Sequence, residues 1–428
     1  MLSTNTTSTK SSTVFIPDLE SLAMAQIPVI RYIPKNLKTD FAKILNQTIS
    51  DLIYHKDTEH WVLFLALPKL LLWAPKRRKQ IFSLLPERFS KWKDKQFHDL
   101  YNDAMTNKIA NNKDTNPKNQ AINLALKNNL SGACSVLSGY KPASNSTEAY
   151  EILKKKHPEE DHFNIQPTNE KIEIQNYLVL KCIKSFRKGS GGGPFGLLPE
   201  HLMAATEVVI HADILKNITA LVNMIVNGEI PDQIKPLLMG ASLSALEKPN
   251  QDLRPIAVGN TIRRLAAKCL ADVVNKELRE VFQPVQFAIG TPSGAEQIIH
   301  SVRNSISNIP TAQKNLAILK IDIHNAFNEV LRKRIIEQHK KYAQRSVPYM
   351  AAAYGSPSKL FFGDKVILSC RGVQQGDPMA MTAFCLSTID IIKGLDKFQV
   401  SSFWFADEGT IIGSLEILIN PFNTLSKN

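Results

Sequence analysis

Two adjacent carboxylates stand in the middle of the segment SSFWFADEGTIIGS, residues 401–414. The apolar runs FWF and TII on either side are typical of β-strands, and the short polar stretch between them predicts a hairpin with Asp407 and Glu408 at its tip. Like charges repel each other, so the pair is either freely solvated or holds a cation. The remaining sequence must discriminate between these alternatives.

A third carboxylate, Asp322, follows the apolar run NLAILKI and predicts the end of a buried strand. Taken alone, an Asp at a strand end is more often a cap or a turn residue. If this strand neighbours the hairpin, however, Asp322, Asp407 and Glu408 converge at one edge of a sheet. Such a cluster is costly unless cations neutralise it, and hard oxygen ligands favour Mg²⁺. Two such ions about 3.5–4 Å apart serve in-line nucleotidyl transfer.

The first half of the chain is predicted to be helical. Residues 1–26 of the 428 are predicted to be a disordered tail, and residues 27–187 a helical region with polar-rich patterning. The apolar run Trp61–Pro75 is too short to span a membrane and predicts a buried helix pair. The composition changes at GSGGGP, residues 189–194, which is either a flexible linker or a tight turn where backbone approaches a ligand.

Strand signals begin after this glycine-rich segment, and they alternate with helical patterns. The predicted elements are a hairpin from 237–246 and 253–258, a helix over 261–282, a helix from about 293, a strand over 315–323 followed by a helix, a short β-like segment over 359–370, a helix over 379–395, and the acidic hairpin. Mixed strands and helices of this kind predict an α+β fold.

The formal net charge of +13 favours a polyanionic partner, nucleic acid before membrane. The basic run Lys76–Lys79 is interpreted as a solvated helix face, with a phosphate-binding patch or a nuclear localisation signal as alternatives. The five cysteines are scattered, with no CxxC pair and no Cys/His cluster. Disulfides and structural zinc are therefore improbable, and the cysteines favour an intracellular setting, nucleus or cytoplasm being left open.

Five segments occur in an order that a known family shares. They are GPFGLLPEHL (193–202), EKPNQDLRPIAVGNTIRRLAAK (247–268), KIDIHNAFN (320–328), RGVQQGDPMAM (371–381) and FWFADEGT (403–410). Together they resemble the entry motif, the fingers hairpin and motifs A, B and C of the reverse transcriptases of retrotransposons. The resemblance covers about residues 181–413. It implies fingers and entry motif over 188–310 and a palm over 311–428.

The resemblance assigns the acidic cluster a catalytic role. Asp322, Asp407 and Glu408 would be the catalytic metal ligands, helped by the backbone carbonyl of Ile323. The implied cofactor is Mg²⁺, with Mn²⁺ as an alternative. The implied partners are an RNA or DNA template-primer and dNTPs, with no membrane, and the oligomeric state is left open.

The resemblance also implies nucleotide contacts. Lys248 and Arg254 would fold over the triphosphate, and Gln375 with Gly376 would meet the sugar and the template-primer. The ring of Phe327 would crowd a 2′-hydroxyl and so favour deoxynucleotides. From the residues alone, the two cations are ordinary turn and strand charges, the glycine shapes a turn, and Phe327 is a core aromatic.

Three departures from the family pattern bear on activity. Glu408 stands where the family usually has a second Asp, and the extra methylene moves the oxygens by about 1 Å, which can cost ~10²-fold. Phe195 replaces a small or acidic residue in the entry motif. The sequence ends about fifteen residues after the hairpin, so the thumb is expected to be absent and nucleotide addition very slow or absent. The sequence therefore favours two functions, a reverse transcriptase and a catalytically silent remnant that binds nucleic acid.

Overall fold

The computed structural model describes residues 15–107, 117–125, 130–137, 145–161, 163, 165, 168, 170–209, 211–247, 252–308 and 315–426. Within these ranges, no helix is both long and apolar enough to cross a membrane. Strands are confined to residues 241–414, as the positions of the strand signals predict, and helices precede, separate and follow them.

The helices, apart from short 3₁₀ turns, are α1 Leu19–Met24, α2 Lys38–His55, α3 Thr58–Leu71, α4 Ile81–Lys93, α5 Phe97–Thr106, α6 Pro117–Ala125, α7 Leu130–Leu137, α8 Thr147–Lys155, α9 Asn176–Lys184, α10 Pro199–Thr206, α11 His211–Val226, α12 Lys235–Leu238, α13 Thr261–Glu277, α14 Arg279–Phe282, α15 Gly294–Ser307, α16 Ala326–Glu329, α17 Arg332–Tyr342, α18 Val347–Tyr354, α19 Ala380–Lys393 and α20 Leu415–Leu425. The strands are β1 Ala241–Glu247, β2 Leu253–Gly259, β3 Leu316–Asp322, β4 Ser358–Phe362, β5 Lys365–Ser369, β6 Ser401–Phe405 and β7 Glu408–Ser414. This mixture is the predicted α+β composition.

The chain before residue 27 is ordered wherever the structure describes it. Helix α1 begins at the N-cap Asp18, whose carboxylate accepts a hydrogen bond of 3.0 Å from the Glu20 N–H. Leu22 of this helix is buried, and the Nζ atom of Lys69 donates to the Ala25 carbonyl at 2.8 Å. The predicted tail is therefore wrong for residues 15–26, because α1 buries apolar surface and its C-terminal carbonyls have a cationic donor. Residues 1–14 lie outside the described ranges.

The apolar run Trp61–Pro75 forms one helix instead of the predicted pair. Helix α3 continues for three residues beyond Pro68 and ends at Leu71. Nearly all of its side chains from Trp61 onward are buried. A proline near the end of a helix removes one backbone hydrogen bond, and the surrounding core compensates for that loss here.

The strands form two sheets. In the first sheet the order is β2-β1-β4-β5, and β1 pairs with β2 as the predicted antiparallel hairpin. In the second sheet the order is β3-β7-β6, all antiparallel. Strand β3 is thus an edge strand, and Ile318 on it is 46% exposed. The prediction of a buried strand is wrong in this respect, because one face of β3 has no layer covering it.

The glycine-rich segment 189–194 is a tight turn that packs against strand β2. Gly193 has a φ of +69°, and a Cβ atom there would lie 2.7 Å from the Gly259 carbonyl oxygen. The guanidinium of Arg264 donates to the Gly191 carbonyl. Of the two predicted alternatives the structure has the tight turn, and backbone approaches backbone there.

One apolar core extends from Leu19 to Leu418, across residues 187 and 310 where the sequence suggested borders. Phe195, which departs from the family pattern, is one of its fully buried side chains. Polar contacts reinforce this junction: Arg31 and Glu200 form a 2.6 Å ion pair. The helical first half therefore packs directly on the segment that carries the entry motif.

The helix predicted over 261–282 is divided at Leu278 into α13 and α14.

Candidate active site

The acidic hairpin has a two-residue turn. Phe405 pairs with Glu408, so the turn consists of Ala406 and Asp407, and Glu408 is already the first residue of β7. Ala406 has a φ of +54°, a conformation that L-residues seldom adopt. The buried Gln286 holds it there: its side chain accepts from the Ala406 N–H at 2.9 Å and donates to the Ala406 carbonyl at 3.1 Å. The position of Asp407 is thereby fixed by the core.

Strand β3 brings the third carboxylate to the same sheet edge, as the sequence predicts. Asp322 and Glu408 are direct partners in the antiparallel ladder between β3 and β7, so their side chains leave the same face of the sheet. The Ile323 N–H donates to the Asp407 carbonyl at 3.3 Å, which ties the end of β3 to the turn. Asp322 and Glu408 are exposed, and Asp407 is half-buried.

Burial and the neighbouring carboxylates shift the pKa of Asp407. Burial raises the pKa of its carboxyl group above the ordinary value of 3.8, and the negative charges of Asp322 and Glu408 raise the pKa further. The cation of Arg254 acts in the opposite direction, so the hairpin β1–β2 places a positive charge within range of the acidic edge. A carboxylate with two acidic neighbours is a group that a cation would stabilise.

The carboxylates have the chemistry of a hard-cation site without being drawn tightly together. Among the residues that the structure describes, none of Asp322, Asp407 and Glu408 has an ion-pair partner within 4.0 Å. Their oxygens therefore remain available to a divalent ion such as Mg²⁺. Their donor atoms do not all lie within 4.8 Å of one another. In the described part of the chain, the group of His, Cys, Asp or Glu residues whose donor atoms do lie that close is His55, Asp57 and His60.

Two of the segments that carry predicted nucleotide residues, strand β2 and the loop 371–377, contact each other. Arg254 is exposed on β2, whereas Lys248 lies outside the described residues. The Gln375 carbonyl accepts from the Ala257 N–H at 3.0 Å, so the loop 371–377 packs on β2. Gly376 has a φ of +120°, and a Cβ atom there would lie 2.4 Å from the Ala257 carbonyl oxygen. Only glycine fits this position without displacing β2.

Phe327 is half-buried and belongs to the core at least in part. Its ring stacks on that of Phe384, with centroids 5.0 Å apart and an interplanar angle of 20°. Its carbonyl accepts from the Val373 N–H at 2.7 Å. The interpretation as a core aromatic is confirmed, and the role in sugar discrimination stays a prediction.

Sequence reasoning missed a buried ion pair that anchors the loop 371–377. Arg263 on α13 donates to Asp377 at 2.7 Å, and both side chains are 1% exposed. The Tyr354 hydroxyl donates to the same carboxylate at 2.6 Å. Burial alone would lower the pKa of Arg263, but the Asp377 charge raises it overall. Both residues lie in quoted segments, yet a charge beside a turn is usually solvated, so only burial identifies this pair.

A second buried arginine holds the other end of the same loop. The Nε atom of Arg332 donates to the Gly372 carbonyl at 3.0 Å, and Nη2 donates to Ser369 Oγ at 2.7 Å. The guanidinium carbon of Arg332 lies 5.4 Å from the Tyr354 ring centroid, and that of Arg263 lies 6.0 Å from it. The loop that carries Gln375 and Gly376 is thus fixed at both ends.

Comparison with known proteins supports the same segments. Residues 246–420 match the family described as "Reverse transcriptase (RNA-dependent DNA polymerase)". The chain is also similar to a Retrotransposable element SLACS 132 kDa protein of Trypanosoma brucei gambiense, at 26% identity over 212 residues. That alignment covers 47% of this chain and 17% of the trypanosome protein. The chain therefore matches only a minor part of that relative's length.

Proposed function

We propose that the chain synthesises DNA from dNTPs on a nucleic-acid template, because residues 246–420 match the reverse transcriptase family and the chain is similar to a retrotransposable-element protein. The observation that carries the proposal is the meeting of Asp322 and Glu408 in one ladder pair beside Asp407. In this proposal β1–β2 is the fingers hairpin, and the sheet β3-β7-β6 belongs to the palm.

The acidic edge would hold the metal ions. Asp322 and Asp407 are the principal ligands, with Glu408 and the Ile323 carbonyl as further oxygen donors. Bound Mg²⁺, or Mn²⁺ in its place, would supply Lewis-acid activation of the primer 3′-hydroxyl and charge stabilisation of the triphosphate. The oxygen-only donor set is what supports Mg²⁺ as the preferred ion.

The other residues of the site would bind and orient the substrates. Arg254, whose charge already acts on Asp407, would offset the negative charge of the triphosphate. Lys248 is proposed for the same task. Gln375 and Gly376, on a loop fixed against β2, would position the nucleotide sugar and the template-primer. Because phosphoryl transfer depends mainly on positioning, a rigid loop at this place favours catalysis.

Phe327 would select deoxynucleotides. Its ring is held by the stack on Phe384 yet remains partly exposed, so it can present a rigid wall to the sugar. A hydroxyl at the 2′ position would meet this wall without a hydrogen-bond partner from the ring, which penalises a ribonucleotide.

The partner of the domain would be an RNA or DNA template-primer. The net charge of +13 favours association with phosphates at low salt. The scattered cysteines, with no CxxC pair and no Cys/His cluster, support the proposed intracellular setting.

A second candidate function is nucleic-acid binding without catalysis. Two observations favour it: Glu408 replaces the second Asp of the family pattern, and the three acids are not drawn within 4.8 Å of one another. In this reading the same fold and the same basic charge bind primer-template, but the carboxylates do not assemble a productive metal pair.

Primer extension on the 428-residue chain tests the proposal. The assay contains Mg²⁺, the four dNTPs and an RNA template with a DNA primer, and Asp322→Ala serves as the blank. We expect extension above the blank for the unmodified chain, and extension with dNTPs to exceed that with rNTPs. Primer-template binding is measured in parallel by fluorescence anisotropy at two salt concentrations.

The two functions give different results. Extension that Asp322→Ala abolishes supports the polymerase. Salt-dependent binding by both proteins, with no extension by either under Mg²⁺ or Mn²⁺, supports the binding function instead. Extension that persists in Asp322→Ala would mean that the acidic edge is not the catalytic site.

A further inference from the structure

A short turn joins two long helices in the first half of the chain, far in sequence from the polymerase segments. Helix α2 ends at His55, Lys56 takes a left-handed φ of 57°, and Asp57 is the N-cap of α3. His60 then lies in the first turn of α3. The sequence HKDTEH therefore brings the last residue of one helix and the first turn of the next to the same side of a two-residue connection.

The geometry of this turn is that of a ligand set. The rings of His55 and His60 stack with centroids 4.2 Å apart and an interplanar angle of 12°. The Nδ1 atom of His60 lies 2.7 Å from the Asp57 carboxylate. One donor atom from each of the three side chains lies within 4.8 Å of the other two, a condition that no other such group meets in the described part of the chain.

Local structure explains only part of this arrangement. Asp57 caps α3 by accepting a 3.0 Å hydrogen bond from the His60 N–H, which accounts for the carboxylate. A cap does not require two imidazoles stacked beside it. The side chains of Asp57 and His60 are 50% and 23% exposed, so an ion from solvent can reach them.

The surroundings leave room for a further ligand. A cavity of about 460 Å³ opens beside His60, and Asp51, Glu59, Lys93 and Trp92 are among the residues that line it. A site with three protein ligands and an open side resembles the zinc sites that keep one coordination position for water or another donor.

We propose that His55, Asp57 and His60 bind a divalent transition-metal ion, with Zn²⁺ as the preferred ion. Two imidazole nitrogens and one carboxylate oxygen match Zn²⁺, whereas Mg²⁺ prefers oxygen donors alone. The sequence argument against zinc rested on cysteine spacing, and this set contains no cysteine. The bound ion would join the end of α2 to the start of α3.

Metal titration of the full chain tests the proposal. The protein is freed of metal with a chelator, and binding of Zn²⁺ and of Co²⁺ is measured by calorimetry and by visible absorption. In millimolar Mg²⁺, which would occupy the acidic edge, we expect one Zn²⁺ or Co²⁺ site per chain, with cobalt d–d bands and without a thiolate-to-cobalt charge-transfer band. Binding is independent of catalysis, so this result does not depend on the proposed polymerase activity.

The variants His55→Ala, His60→Ala and Asp57→Asn are each expected to weaken Zn²⁺ binding by about 10-fold or more, since even groups outside the ligand set contribute 10- to 100-fold. Asparagine caps a helix as well as aspartate does, so Asp57→Asn removes the ligand without removing the cap. His98→Ala, at an exposed histidine outside the group, is the matched control and should bind as the unmodified chain does. Asp322→Ala tests the acidic edge as the alternative place for the ion.

Circular dichroism confirms that each variant is folded before its affinity is compared. The proposal would be wrong if the unmodified chain showed no one-to-one binding, if all three variants kept the affinity of the unmodified chain, or if thiolate dominated the cobalt spectrum. Loss of binding in Asp322→Ala alone would place the ion at the acidic edge and would equally contradict the proposal.

Discussion

Asp377 and Asp407 lie at turns of the same domain but in opposite electrostatic surroundings. Asp377 is buried, with Arg263 at 2.7 Å and the Tyr354 hydroxyl at 2.6 Å. Asp407 is half-buried, and the negative charges of Asp322 and Glu408 raise the pKa of its carboxyl group. One carboxylate is compensated within the protein, and the other is not.

The difference indicates what each carboxylate contributes. A buried, fully paired carboxylate fixes the position of a loop, and removing it leaves its cationic partner uncompensated. A half-buried carboxylate with acidic neighbours costs folding free energy, so its presence is better explained by a ligand than by stability. The two residues should therefore respond in opposite ways to neutralisation.

The largest effect is expected from Asp407→Asn in the primer-extension assay. Because the amide cannot bind a divalent cation as a carboxylate does, the barrier to nucleotide addition should rise by several kcal/mol, or ~10³-fold in rate. The denaturation midpoint should not fall, since the substitution removes a repulsive charge. An unchanged extension rate, or a lower midpoint, would remove the contrast between the two carboxylates.

Asp377→Ala should have the largest effect on stability. It leaves the Arg263 guanidinium buried without a counter-charge, and breaking such a pair costs about 3–5 kcal/mol of unfolding free energy. Urea denaturation measures this loss. The control is Asp364→Ala, at an exposed residue in the turn between β4 and β5, which should change the free energy by less than about 0.5 kcal/mol.

Gly376→Ala tests whether the loop 371–377 must remain packed on β2. The φ of +120° and the 2.4 Å approach to the Ala257 oxygen predict a loss of about 1–3 kcal/mol in unfolding free energy. Template-primer affinity should fall together with stability, because the loop would move away from β2. The matched variant Gly394→Ala, at a glycine with no heavy atom within 4 Å of its would-be Cβ, should leave both quantities nearly unchanged.

The smallest effect concerns pH. The pKa of Asp407 is raised in the folded protein, so ionisation of this group disfavours folding above that pKa, and the penalty disappears as the pH falls toward 3.8. Asp407→Asn should therefore be more stable than the unmodified chain at pH 7, with a difference that narrows toward pH 4. Thermal denaturation of both proteins at several pH values measures this. A difference that widens on acidification would contradict the assigned pKa direction.

Much of the fold of residues 246–420 could be predicted from patterns with local causes. Alternating apolar residues around turn residues predicted both hairpins, β1–β2 and β6–β7, and the apolar run before Asp322 predicted β3. The meeting of Asp322 with Glu408 followed from one assumption about neighbouring strands, which the ladder confirms. The exposure of β3 was missed, because an apolar run does not reveal whether its strand lies at the centre or the edge of a sheet.

What the sequence by itself determined is therefore the resemblance to the reverse transcriptases, the α+β composition and the carboxylates at strand ends, since these depend on residue types at short spacing. Only the tertiary structure decided which charges are compensated. Arg263 and Asp377 are 114 residues apart in sequence, and the fold brings their charges together. The stack of His55 on His60 likewise depends on the two-residue turn between α2 and α3. Burial and pairing are properties of surroundings that distant segments supply, so no local pattern could have distinguished Asp377 from Asp407.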